Sequence, residues 1–248
     1  MTTSAKVTVH LMRHGEVHNP DRIVYGRLPN YHLSEKGQQM VRMSAQEFAR
    51  RRGEGANIVH LVCSPLTRTR ESAEPITELL GLQAHPDARV VEADNYFEGL
   101  HVNRQELLNN PRHWTKLYNP LRPSWGEPYI VQVRRMAQAI KDAARTAYQQ
   151  GGDGAEAIIV SHQLPIWVTR LALEGKLLQH DPRARECNLA SITSLTFDNL
   201  LSGEPAAGER LHGARIAPVF GSDSAARQLR RGCLPFSTPF AHTTGRNA

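Results

Sequence analysis

Arg13-His14-Gly15-Glu16 follows an apolar run carrying Val7, Val9 and Leu11 near the amino end of the sequence. A strand that ends in arginine and histidine sets a nucleophilic imidazole beside a fixed positive charge, which is what attack on a phosphoryl group requires. Two later strand-like runs end in the same manner. Ser64-Pro65-Leu66-Thr67-Arg68 follows one, and Val160-Ser161-His162 closes the other. A short tripeptide occurs by chance; the same strand-then-charged-loop layout three times over does not need chance, and it predicts one shared site.

The elements that must position these loops can be read from periodicity. Residues 6–12 alternate and form the expected first strand, and 57–63 the second. Leu33-Ser34-Glu35-Lys36-Gly37 reads as a helix start, with Met40, Met43, Ala45 and Phe48 behind it at helical spacing. Residues 68–80 read as a helix stopped by Gly81. Residues 129–148 place Val133, Met136, Ile140 and Ala144 on one face of a long helix that Gly151 to Gly154 break. Residues 157–161 form a continuously apolar strand suited to the middle of a sheet, 166–174 the helix after it, and 191–198 a last strand. Strands alternating with helices predict an α/β fold, a three-layer α/β/α sandwich with a mostly parallel central sheet. Ligands of such sheets gather at the carboxyl ends of the strands, where all three charged loops fall.

Residues 92–128, rich in Asn, Pro, Trp and Arg without a steady period, are expected to form a lid inserted over the site. The domain is therefore placed at 1–200. Residues 201–248 turn rich in Gly, Ala, Ser, Pro and Arg and read as a flexible basic tail.

Length and charge narrow the partners. The 248 residues are enough to bury a real core. A formal charge of +6 favours anionic partners, of which phosphate esters, nucleic acid and anionic lipid are the classes to separate. No stretch reaches the roughly 18 apolar residues of a membrane span, and the first six residues lack the apolar core of a secretory signal, so a cytoplasmic protein without a membrane partner is expected. Arg227, Arg230 and Arg231 cluster in the tail, but with no interleaved aromatics and no groove-reading helix a solvated tail is the better reading, and no nucleic-acid partner is expected. Cys63, Cys187 and Cys233 are far apart and odd in number, which suggests neither a disulfide framework nor a zinc knuckle.

The three loops together resemble the histidine phosphatase superfamily, the phosphoglycerate mutase-like proteins, over about residues 6–198. Members carry Arg-His-Gly after the first strand, Ser-x-Leu-x-Arg-(Ala/Thr) after the second, an acidic residue in a central insertion and Ser-His after a late strand. Here these read Arg13-His14-Gly15, Ser64-Pro65-Leu66-Thr67-Arg68-Thr69, Glu92 and Ser161-His162. The resemblance implies a metal-independent phosphomonoester hydrolase without a cofactor, in which His14 takes the phosphoryl group as a phosphohistidine. Arg13, Arg68 and His162 would hold the equatorial oxygens, for which the planar fork of arginine is well shaped.

The leaving oxygen needs a proton from a carboxylic acid kept protonated by its surroundings. Glu92 holds the position of the family's acid and is favoured; Glu98-Gly99 matches a downstream Glu-Gly at a spacing one residue shorter than usual and stays open as the alternative. Asn19, Gly26 and Arg27 are candidates for phosphate or substrate contact, although the loop spacing around them departs from the family's by one residue. Gln163 stands where glycine is common, and its backbone N–H can still donate to a phosphate oxygen. Ser124-Trp125-Gly126-Glu127-Pro128 is similar to a Gly-Glu-Ser segment and is given no role beyond lining the pocket. Trp114, Trp125, Arg122 and His113 are expected either to read the rest of a substrate or to pack beneath the lid.

Two decoys fail on counting. Cys63 and Arg68 are separated by four residues, not the five of a cysteine-phosphatase loop. His10, His14 and His18 recur every fourth residue, but across a strand and a loop rather than along a helix, so a two-histidine zinc site is not expected. The expected partner is a small-molecule phosphate ester; sugar phosphates, nucleotides and cofactor precursors would all offer His14 the same group. A cofactor-primed phosphoglycerate mutase is the nearest rival, and a phospho-ligand-binding module that does not turn its ligand over is the non-enzymatic one.

Overall fold

The alternation along β1 (Lys6–Arg13) sends Val7, Val9 and Leu11 to one face of the sheet and Met12 to the other, and both faces are covered. The computed structural model describes residues 6–101, 110–114, 125–180 and 185–198. In chain order the elements are β1, α1 (Glu35–Gly53), β2 (Asn57–Cys63), α2 (Thr67–Leu80), β3 (Ala84–Pro86), α3 (Tyr129–Gly151), β4 (Ala155–Ser161), α4 (Gln163–Leu173) and β5 (Ile192–Asp198).

The sheet runs β3-β2-β4-β1-β5, with β5 antiparallel to β1 and every other pair parallel. Helices α1 and α2 bury Val41, Phe48 and Ile76 against Ile58, Leu61 and Ile158 on one face. Helix α3 buries Met136, Ile140 and Ala144 against Val9, Ala157 and Ile159 on the other, with Ile166 of α4 in the same cluster. This is the expected three-layer α/β sandwich.

Local chemistry sets the boundaries. Ser34 caps α1 by accepting from the Gly37 N–H at 3.0 Å. Gly81 ends α2 in the left-handed conformation at φ 64°. Helix α4 begins at Gln163, three residues before the expected start, because Pro165 sits in its first turn, where a missing N–H costs nothing. The short edge strand β3 was not expected; Ala84, His85 and Pro86 carry no alternating pattern and are held by pairing with β2.

Topology brings the charged loops together. Strands β2, β4 and β1 are neighbours and parallel, so their carboxyl ends lie side by side. The connection after β1 runs toward β2 through α1 on one face, while that after β4 runs toward β5 through α4 on the other. The two diverge at the β4–β1 border and leave a crevice there. Of the expected lid, residues 102–109 and 115–124 lie outside the described residues, as does the expected tail. Among the described residues no helix is long and apolar enough to cross a membrane.

Candidate active site

His14 prolongs the β1–β4 pairing by one step, its N–H donating to the Ser161 carbonyl at 3.1 Å. Its own carbonyl accepts from Ala190 N–H at 3.2 Å, and the next N–H, of Gly15, donates to Ser72 Oγ of α2 at 3.2 Å. Gly15 is required: a Cβ there would lie 2.5 Å from the Gly37 carbonyl oxygen of α1. The His14 ring, 2% exposed, is held by Nδ1 at 2.7 Å from the Gly15 carbonyl. A carbonyl only accepts, so Nδ1 carries the proton and Nε2 keeps its lone pair. Burial first, then the charges of Arg68 and Arg13, push His14 from its ordinary 6.5 down to about 3 despite the Gly15 bond, which keeps the ring neutral and nucleophilic.

Arg68 stands in the first turn of α2 and is 1% exposed. Its Nη2 donates to the Gly26 carbonyl at 2.5 Å and lies 3.3 Å from His162 Nδ1, with its guanidinium 4.9 Å over the Tyr25 ring. Arg13 reaches back to the Cys187 carbonyl at 2.6 Å through Nη1. The Nε atoms of both arginines are buried without a partner among the described residues. Two guanidiniums that form no ion pair among the described residues, each with an orphaned donor, are what an incoming oxyanion would satisfy.

His162 is the N-cap residue of α4 and fully buried. Its Nε2 lies 2.9 Å from Ser64 Oγ, and its ring meets the His14 ring edge-on at 5.2 Å between centroids. Burial, then the charges of His14, Arg68, Arg135 and Arg13, hold it well below the ordinary histidine range. Gln163 opens α4, so its first-turn backbone N–H and the positive helix end adjoin His162.

The two acids are placed differently. Burial pushes the Glu92 carboxyl up, against the Ala93 N–H and the charges of Arg68, Arg13 and Arg185. Glu98 instead accepts the Arg27 backbone N–H at 2.8 Å and packs against Gly26, where a Cβ would come within 2.1 Å of its Oε1. Arg27 is occupied too, donating to the Glu92 carbonyl at 2.7 Å and to Glu127 at 2.9 Å. Asn19 spends both ends of its amide on the Ile23 backbone, at 2.9 and 3.2 Å. The motif residues His14, Arg13, Arg68, His162 and Glu92 therefore converge, while Arg27, Asn19, Gly26 and Glu98 build the adjoining loop.

Sequence reasoning missed the parts played by Glu127, Arg135, Arg185 and Ser64. Glu127 clamps Arg27 and Arg135, and Arg135 also donates to the carbonyls of Arg89 and Val91, both at 2.6 Å, so one carboxylate fastens the segment leading to Glu92. Arg185 donates to His180 Nε2 at 2.9 Å, bonds Tyr129 and acts electrostatically on Glu92. Ser64 was quoted only as a motif letter. Trp114 is exposed and His113 packs on Tyr96 and Phe97, whereas Arg122 lies outside the described residues.

Comparison with known proteins places the chain in a family. The model of the histidine phosphatase superfamily (branch 1) matches residues 9–200. An uncharacterized protein, Rv0525, of Mycobacterium tuberculosis (strain ATCC 25618 / H37Rv) is 47% identical over 191 residues, covering 77% of this chain and 90% of its own. A protein of Citrobacter koseri named probable phosphoglycerate mutase GpmB is 36% identical over 188 residues, covering 74% and 83%. Among solved structures, the mycobacterial glucosyl-3-phosphoglycerate phosphatase Rv2419c superposes with a TM-score of 0.62 at 22% identity, over 77% of this chain and 90% of that one, a likeness of fold.

Proposed function

The chain belongs to the histidine phosphatase superfamily, and from that premise we propose that it hydrolyses small phosphate monoesters through a phosphohistidine at His14. The observation that carries this reading is the neutral His14 ring, its Nε2 lone pair free, beside buried Arg68 and half-buried Arg13, whose Nε atoms are buried without a hydrogen-bond partner among the described residues.

In this mechanism the phosphoryl oxygens occupy the space between Arg13, Arg68, His162 and the Gln163 N–H, and replace the water they leave with fixed donors. The Nε2 lone pair of His14 forms a bond to phosphorus as the phosphorus–oxygen bond of the ester breaks, and Glu92 gives its proton to the leaving alkoxide. The elevated Glu92 carboxyl suits that duty. A water then attacks the phosphohistidine, Glu92 takes back a proton, and inorganic phosphate leaves with His14 restored. All of these steps use the chain's own side chains, and no metal or cofactor is assigned to them.

A mutase would share the first half of this sequence and then offer the phosphoryl group to a second phosphorylated acid while keeping water out, which needs further free cations. The name of the Citrobacter koseri relative favours that reading. Against it, Arg27 and Arg135, the guanidiniums that flank the Glu92 backbone, are both already tied to the Glu127 carboxylate. Hydrolysis is therefore the preferred outcome.

The test is release of inorganic phosphate by wild type and His14→Ala from an aryl phosphate and a panel of metabolite phosphates without added metal, alongside interconversion of 2- and 3-phosphoglycerate. Release that is lost in the variant supports the phosphatase; interconversion without release supports the mutase; neither would leave a phospho-ligand-binding module.

A further inference from the structure

His162 has both ring nitrogens occupied, and the partners differ in kind. Arg68 carries only donors, so His162 Nδ1, 3.3 Å from Arg68 Nη2, must accept. The proton of the neutral ring then sits on Nε2 and is given to Ser64 Oγ at 2.9 Å. The Arg68 contact alone fixes the tautomer, since a hydroxyl can donate or accept, and the two contacts differ in strength. The Arg68 contact is the longer, and the same Nη2 serves the Gly26 carbonyl at 2.5 Å. Ser64 is fully buried and itself fixed: its N–H donates to the Val160 carbonyl at 3.0 Å, and its carbonyl accepts from Thr69 Oγ1 at 2.9 Å.

We propose that Ser64 is a positioning residue that fixes the plane of His162 and accepts its Nε2 proton, so that Nδ1 is the nitrogen presented to the phosphoryl group. The inference rests on the reading of His162 as an oxygen-binding residue of the site. Its consequence appears when the site fills. Arg68 is drawn onto the phosphoryl oxygens, its hold on Nδ1 is released, and Ser64 alone keeps the ring from turning over. Nδ1 then takes a proton, carried in by the monoanionic ester or taken from solvent, and donates it as a hydrogen bond to a phosphoryl oxygen, while Nε2–H stays on Ser64. Without the hydroxyl, a buried N–H would be left unsatisfied, and the ring would escape that cost by flipping or changing tautomer.

The experiment is imidazole nitrogen NMR of the full chain labelled with nitrogen-15 in histidine, at neutral pH, with and without inorganic phosphate, using His162→Asn to assign the resonances. Wild type should show His162 with a protonated Nε2 and a lone-pair Nδ1, and Nδ1 should become protonated when phosphate is added. In Ser64→Ala the Nε2–H tautomer should give way to a mixture. The kcat/KM on p-nitrophenyl phosphate should fall about tenfold, the value of one buried hydrogen bond at its upper end, with an altered pH profile. Ser64→Thr, which keeps the hydroxyl, should restore both. A Nδ1–H tautomer in wild type overturns the proposal before any variant is made, and an unchanged Nε2–H tautomer in Ser64→Ala overturns it by leaving Arg68 sufficient. The spectra report on the tautomer even if no ester is hydrolysed, so failure of the phosphatase reading is distinguishable from failure of this one.

Discussion

The Nδ1 of His14 lies 2.7 Å from the carbonyl oxygen of the very next residue, Gly15, and this contact decides which ring nitrogen is free to react. It is made within one dipeptide, and the loop is kept in shape by α1, which leaves no room for a side chain at Gly15, and by Ser72 of α2. The nucleophile is thus oriented by backbone, and the arginines beside it are left for the substrate.

Glu92→Gln should slow esters of poor leaving groups by about a hundredfold or more while sparing activated aryl phosphates, since the latter need little proton donation. Glu98→Gln should weaken both classes alike, because Glu98 acts on the Arg27 backbone. Steady-state kinetics on a matched alkyl and aryl pair separates the two. Selective loss in Glu98→Gln would transfer the acid's role to that residue.

Gly26→Ala places a methyl group within reach of the Glu98 carboxylate, at a backbone φ of 34° that side chains rarely adopt. A destabilisation of about 1–2 kcal/mol is expected from the backbone alone. Because Arg68 donates to the Gly26 carbonyl, KM for an aryl phosphate should rise as well. Urea denaturation and kinetics on one preparation check both.

Glu127→Ala removes the shared anion between Arg27 and Arg135, both partly exposed, and should cost about 1–3 kcal/mol. Since Arg135 also holds the carbonyls of Arg89 and Val91, activity should fall while the fold survives. A variant with unchanged stability and turnover would remove the clamp from the account.

Stability should fall on the acid side. Burial lowers His10, His14 and His162 below the ordinary 6.5, so the unfolded chain binds more protons than the folded one once the pH drops under that value. The stabilisation they give is complete above about pH 6.5 and is lost progressively toward the folded value, about 3 for His14. Thermal midpoints should decline from neutral pH downward, and His14→Asn should flatten the decline. A midpoint independent of pH between 7 and 5, roughly the window in which the unfolded histidines titrate, would contradict the assignment.

Local signals made much of this legible. Strands β1, β2 and β4 carry period-two or continuous apolar runs, Ser34 and Gly81 punctuate the helices, and the charged residues sit directly after the strands, so one parallel sheet had to gather them. What stayed hidden depends on contacts distant in sequence. Glu127 pairs with Arg27 across 100 positions, and nothing around either residue announces the other. Strand β3 exists only because β2 offers an edge. Asn19 looked free for a ligand because its bond to Ile23 is a matter of loop shape, and Arg185 follows Ser161-His162 at no motif spacing.

The central claim is covalent, and trapping tests it most directly. Wild type and His14→Ala would be mixed with a phosphorus-labelled aryl phosphate, quenched in alkali within a turnover, digested and mapped. The account predicts an alkali-stable, acid-labile phosphoryl group on the peptide carrying His14, absent from the variant. Steady hydrolysis by wild type with no label on that peptide, or undiminished hydrolysis by His14→Ala, would contradict it.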